Sequence, residues 1–246
     1  MTRAALVTGG SRGIGAAIAH ALAAEGFNVT VSARNAEGGA ETVAEQLRCQ
    51  YGVEAHAIGA DMAVEDDVRR LSSEHEARFG RLDLLILNAG VATSGHLLDV
   101  PMRRFDLQFN VNLRGPVALI QESLPLLRLT AAAEPARGAR IVAIASITGV
   151  VSEPSLALYG ASKAALISLC ETLTLDEHDR GVSATAISPG YVDTDMAAWK
   201  ADTLPRDRMM STSDVAEMVL AMSRLSVNAV VPNIVMTRPG AQIWRA

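Results

Sequence analysis

Apolar positions follow two rhythms along the chain. Short runs at 4–8, 28–33, 54–59, 82–88, 140–146, 183–188 and 229–236 are rich in Val, Ile and Leu, and several lack polar alternation. Such runs predict strands buried on both faces, as in a parallel sheet. Longer stretches at 14–25, 39–51, 65–79, 101–129, 158–180 and 213–223 predict helices. Strand–helix alternation over residues 1–246 predicts an α/β fold: one domain, a doubly wound parallel sheet of about seven strands, helices on both faces.

Two stretches break the rhythm. Residues 130–138 (TAAAEPARG) read as a small-residue loop. Residues 191–212 are long, contain Pro205 and mixed charges, and follow a strand end. Ligands bind at that edge of an open sheet, so this stretch is read as a substrate lid, with a plain surface connection as the alternative. Met196, Trp199, Met209 and Met210 within it suit an apolar or adaptable pocket, or the packing of the loop onto the core.

Composition narrows the function. A net charge of −5 argues against a nucleic-acid partner. Cys49 and Cys170 have no metal or redox spacing, and the five histidines are scattered, so no metal site is expected. No apolar run is long enough for a membrane span, and the N-terminus does not read as a secretory signal. A cytoplasmic location follows as the expectation.

The first predicted strand runs into Thr8-Gly9-Gly10-Ser11-Arg12-Gly13-Ile14-Gly15 and then a helix. Glycines let the main chain approach a pyrophosphate, and the helix N-terminus offers free N–H groups and a positive dipole end. The spacing differs from G-x-G-x-x-G, but the strand–turn–helix context points to a dinucleotide. At the end of the second strand an acid would bind the ribose 2′-hydroxyl of NAD. Ala33 stands there instead, followed by Arg34, with Arg12 in the turn. Two guanidiniums suit a 2′-phosphate, so NADP(H) is expected over NAD(H).

Tyr159 and Lys163 are four residues apart at the start of a predicted helix and share a face. Of the 22 basic residues, only Lys163 and Lys200 are lysines. A phenol has a pKa near ~10, and a nearby ammonium lowers it toward the range useful for acid–base chemistry. Ser146, at a predicted strand end, can donate to a carbonyl oxygen as charge develops there.

Together these residues resemble the short-chain dehydrogenase/reductase family over nearly the whole chain. Thr8 to Gly15 match its T-G-x-x-x-G-x-G turn, Tyr159 and Lys163 its Y-x-x-x-K pair, and Ser146 its serine. Leu87-Asn88-Ala89-Gly90 resembles its N-N-A-G segment, with Leu87 in place of the first asparagine. Phe109-Asn110-Val111-Asn112-Leu113 matches the segment whose second asparagine, Asn112, completes a tetrad, holding a helix kink and a water in a proton relay. Asp61-Met62 matches positions lining the adenine pocket. Pro189-Gly190-Tyr191-Val192-Asp193-Thr194 resembles the segment contacting the nicotinamide carboxamide.

The resemblance implies a Rossmann-type enzyme that interconverts a ketone or aldehyde with an alcohol. Its coenzyme would lie on Gly9, Ser11, Arg12, Gly13, Ile14, Gly15, Arg34, Asp61, Met62, Asn88, Ala89, Gly90, Tyr159, Lys163, Pro189, Gly190, Val192 and Thr194. It also implies a homodimer or homotetramer in which 101–129 and 158–180 pair across a two-fold axis. Family reductases of acyl-carrier-protein thioesters often carry Asp-Gly-Gly after the last strand. Here that stretch reads Thr237-Arg238-Pro239-Gly240, which weakens that narrower assignment. Relatives that epimerise or dehydrate nucleotide sugars usually have a larger C-terminal substrate domain than 190–246, which disfavours that reading. A non-catalytic nucleotide sensor would not need Asn112, Ser146, Tyr159 and Lys163 together.

Overall fold

A computed structural model describes residues 2–240; residue 1 and 241–246, the ends of the expected 1–246 domain, lie outside the described residues. Seven strands form one parallel sheet: β1 (Ala4–Thr8), β2 (Asn28–Ala33), β3 (Ala55–Gly59), β4 (Leu84–Leu87), β5 (Ala139–Ile144), β6 (Val182–Pro189) and β7 (Asn233–Met236). Their order is β3-β2-β1-β4-β5-β6-β7. The chain reverses direction across the sheet between β3 and β4, which opens a crevice beyond the carboxyl ends of β1 and β4.

Neighbouring residues of one strand face opposite layers, which explains the unbroken apolar runs. Ala5 and Val7 of β1 join one core with Ile18 and Leu22 of α1 (Gly13–Ala24), Leu47 of α2 (Glu41–Tyr51) and Val219 of α7 (Thr212–Arg224). Leu6 turns to the other core. There it meets Val68 of α3 (Glu65–Phe79), Leu119 of α5 (Gly115–Ala133) and Leu166 of α6 (Ala157–Glu177).

Several boundaries move for identifiable reasons. The expected 101–129 helix divides into α4 (Met102–Phe109), a π turn at Asn110–Arg114, and α5. A side chain on Gly115 would lie 2.2 Å from the Met62 carbonyl oxygen, so glycine lets the two segments touch. Helix α5 runs on to Ala133, into the expected 130–138 loop, and Thr130 Oγ1 accepts from the Leu82 N–H at 2.9 Å. Strand β4 stops at Leu87 because the Asn88 N–H turns to Thr8 Oγ1. Strand β7 begins after Pro232, which has no N–H to give a ladder. Helix α7 gains a residue at each end, and its start carries a reciprocal Ser211–Asp214 capping box.

Candidate active site

At the carboxyl end of β1, Gly9 (φ +63°) and Gly13 (φ +57°) adopt left-handed backbone. A side chain on Gly15 would lie 2.3 Å from the Gly9 carbonyl oxygen. Helix α1 has no side-chain cap at Arg12 and no acid in its first turn, so its leading N–H groups can receive an anion. Thr8 secures the turn: Oγ1 donates to the Ile86 carbonyl at 3.1 Å and accepts from the N–H groups of Asn88 and Ala89, each at 3.0 Å. The Asn88 amide donates to the carbonyls of Thr8 at 2.9 Å and Gly9 at 3.0 Å. This uncapped, glycine-rich cradle fits the pyrophosphate of a dinucleotide.

The two arginines offered by the sequence stand differently. Arg34 is exposed at the end of β2 beside the partly buried Ala33. Arg12 is turned away to Asp195, 2.9 Å from its carboxylate. Asp61 Oδ1 accepts from the Ala63 N–H, and the Asp61 N–H donates to Asp67 Oδ2, each at 2.9 Å. Met62 is a core residue.

Ser146, Asn112 and the Tyr159–Lys163 pair come from three different places. Ser146 caps a 3-10 turn (Ile147–Gly149) just beyond β5. Its Oγ accepts from Thr148 Oγ1 at 2.9 Å and from the Thr148 N–H at 3.2 Å, which leaves its own proton for the Tyr159 hydroxyl. Helix α6 lies tight on this turn. A side chain on Gly149 would lie 2.8 Å from the Ala164 nitrogen, and one on Gly160 would lie 2.8 Å from the Thr148 oxygen. That contact sets the first turns of α6, which carry Tyr159 and Lys163, against Ser146.

Lys163 is buried, and its Nζ donates to the Ile144 carbonyl at 2.7 Å while lying 5.7 Å from the Tyr159 ring centroid. Asn112 occupies the π turn. Its Oδ1 accepts from the Val91 N–H at 2.8 Å, and its Nδ2 donates to the Val91 carbonyl at 2.9 Å and to Ser162 Oγ at 3.1 Å. Ser162 Oγ donates in turn to the Tyr159 carbonyl at 2.8 Å. Gly90 runs beside both: a Cβ there would lie in ordinary contact, 3.4 Å from Asn112 Oδ1 and 3.5 Å from Lys163 Nζ.

One electrostatic expectation is reversed. Burial pushes the Tyr159 phenol up to about 12, opposed by its hydrogen bond with Ser146, and pulls Lys163 down to about 8. Desolvation disfavours both charged forms and outweighs the help an ammonium would give a phenolate. In this state the Tyr159 phenol is protonated at neutral pH.

The 191–212 segment covers the same edge. Pro189 ends β6 beside Met236, and the Gly190 N–H donates to the Met236 carbonyl at 2.9 Å. Val192 bridges to Met210, and the Thr194 methyl lies 3.4 Å from where a Gly13 side chain would begin. Short 3-10 turns occupy Asp195–Lys200 and Arg206–Arg208. Tyr191, Ala197, Leu204 and Met209 form a small core of their own, while Met196 and Trp199 stay exposed. Sequence reasoning missed Thr148 and Ser162, and gave Thr8 no role beyond its place in the glycine-turn pattern, yet the three hydroxyls join the site together. A threonine or serine has no distinguishing pattern until its partners are in place.

Among the described residues, no group of three or more His, Cys, Asp or Glu is placed to hold a metal ion, and no helix is long and apolar enough to cross a membrane.

The family model for short chain dehydrogenases matches residues 3–204. A 3-oxoacyl-(acyl-carrier-protein) reductase of Staphylococcus aureus is 35% identical over 217 residues, 88% of this chain and 85% of that protein. A short chain dehydrogenase of Burkholderia cenocepacia, solved with NADP, superposes with a TM-score of 0.85 at 33% identity, covering 95% of this chain and 96% of that one. A 3-oxoacyl-(acyl-carrier protein) reductase of Brucella melitensis, solved with NAD, gives a TM-score of 0.81 at 31% identity, covering 91% and 90%.

Proposed function

Since the chain belongs to the short-chain dehydrogenase family and is an oxidoreductase of carbonyl and alcohol groups, we propose that it works with NADP(H) and uses Tyr159 as its acid/base. The observation that carries this reading is the convergence of Ser146, Tyr159, Lys163 and Asn112 beside an uncapped glycine turn.

The glycine turn, Asn88 to Gly90 and the 189–194 segment would hold the coenzyme, with Lys163 on its nicotinamide ribose. When bound, the nicotinamide supplies hydride for reduction or accepts it in oxidation. The rest falls to this chain's side chains. Ser146, with its oxygen already accepting from Thr148, donates its proton to the substrate oxygen. Tyr159, held protonated by burial, gives that oxygen a proton as the alcohol forms. Lys163 supplies the positive charge that makes the resulting phenolate tolerable. Asn112, fixed to Val91, holds the π turn open for proton exchange with solvent.

NADP(H) is favoured by Ala33 and Arg34, although similar proteins were solved with NADP and with NAD. Exposed Met102, Leu107, Leu129 and Leu175 on α4, α5 and α6 favour a dimer or tetramer of two-fold symmetry. A cytoplasmic setting agrees with two free cysteines.

A second reading is reduction of a 3-oxoacyl thioester, favoured by the Staphylococcus aureus relative and disfavoured by Thr237-Arg238-Pro239-Gly240 after β7. Turnover of simple ketones, aldehydes and a 3-oxoacyl thioester with NADPH and NADH separates the two. No turnover on the whole panel would contradict both.

A further inference from the structure

We propose that Glu153 is a positioning residue that latches the 191–212 segment over the site; this rests on reading Tyr159 as the proton donor and that segment as the lid. Glu153 lies between the Ser146 turn and α6, outside every motif above. Its Oε1 accepts from the Tyr191 hydroxyl at 2.7 Å and from Lys200 Nζ at 3.3 Å, and its Oε2 is buried without a hydrogen-bond partner. Lys200 Nζ also sits 5.2 Å from the ring centroids of both Tyr191 and Trp199, and those rings meet edge to face at 6.0 Å. One carboxylate therefore grips residues at both ends of 191–200.

The grip reaches the reacting groups. Burial, then the Glu153 acceptor and its charge, raise the Tyr191 phenol, and Arg238 opposes this. Tyr159 is among the groups that raise it, so the two phenols are electrostatic neighbours. Tyr191 is thus held as a neutral donor to Glu153.

Glu153 stands on a fixed post. Ser155 has φ +66°, making it the one described non-glycine residue with positive φ, and its carbonyl accepts from the Gly95 N–H at 2.9 Å. Such backbone persists where its surroundings over-determine it. Side-chain exposures of 16% for Glu153 and 27% for Lys200 put the latch well beyond the weak regime of fully exposed pairs.

The test uses the full chain and five proteins: wild type, Glu153→Gln, Glu153→Leu, Tyr191→Phe and the double variant Glu153→Leu with Tyr191→Phe. Limited trypsinolysis at Lys200, Arg206 and Arg208 reads lid opening without any substrate. Glu153→Leu should speed cleavage there about ten-fold, the scale of losing a charge-assisted hydrogen bond, with no matching fall in Tm. Tyr191→Phe should speed it less, the double variant should add little, and Glu153→Gln should rescue most of the effect by keeping the acceptor. In ketone reduction, Glu153→Leu should raise KM about ten-fold. Wild-type cleavage rates in Glu153→Leu, or independent effects of the two sites, would overturn the latch. If no carbonyl compound is turned over, the proposed function fails while cleavage still decides the latch.

Discussion

Arg12 and Asp195 form an ion pair at 2.9 Å that joins the glycine turn to the 191–212 segment. Arg12 is already paired with Asp195, whereas Arg34 is exposed at the end of β2. Arg34→Ala should therefore weaken NADPH binding by roughly ten- to hundred-fold, the effect of losing one charge-assisted hydrogen bond. Arg12→Ala should cost less. Asp195→Asn should tighten NADPH binding by at most about five-fold, since so exposed a pair contributes ~1 kcal/mol at most. Fluorescence titration with NADPH and NADH checks all three. Equal losses for both coenzymes in Arg34→Ala would remove Arg34 from phosphate recognition.

Ala33→Asp combined with Arg34→Ala should invert coenzyme preference, adding a 2′-hydroxyl acceptor while repelling phosphate. The readout is kcat/KM for each coenzyme. A wild type that already prefers NADH would contradict the NADP(H) assignment.

The sheet was legible because consecutive residues such as Leu6 and Val7 enter opposite cores, which removes polar alternation from the strand. The glycine turn and the Tyr159–Lys163 pair were legible because their spacing is local. The break at Asn110–Arg114 was legible only through the resemblance, which puts a kink at Asn112; apolar periodicity runs one helix through it, since the break depends on Asn112 meeting Val91 and on Gly115 meeting Met62, both distant in sequence. Nor could spacing reveal that Arg12 would find Asp195, or that burial would govern Tyr159 more than its lysine neighbour.

Stability should fall in mild acid through His75. Its Nδ1 meets Thr30 Oγ1 at 2.8 Å and its Nε2 meets the Arg81 carbonyl at 3.0 Å, an arrangement suited to a neutral ring. Burial lowers its pKa from 6.5 to about 4. Between those values the unfolded chain binds more protons than the native one, so stability rises with pH across that window and is lost as pH falls from 6.5 toward 4. The loss through this residue is at most roughly 3 kcal/mol. Urea unfolding at several pH values should show a shallower slope in His75→Gln than in wild type. Equal slopes would clear His75 of the effect.

Reduction should lose rate above about pH 8, as Lys163 gives up its proton and ceases to support the Tyr159 phenolate. Lys163→Arg, which stays charged, should abolish that limb even if its rate is low. A limb unchanged in the variant would assign it to another group.

Exposed Met102, Leu107, Leu129 and Leu175 should be covered by a second copy of the chain. Light scattering coupled to gel filtration should give a dimer or tetramer mass at micromolar concentration. A clean monomer mass would contradict the assembly.

The central claim is that the Tyr159 hydroxyl transfers the proton. Tyr159→Phe keeps the ring and removes that proton. Its kcat for carbonyl reduction should fall by at least the ~10²–10⁴-fold typical of losing a general acid, while NADPH affinity stays near the wild-type value. A Tyr159→Phe enzyme that turned over its carbonyl substrate at close to the wild-type kcat would contradict the account.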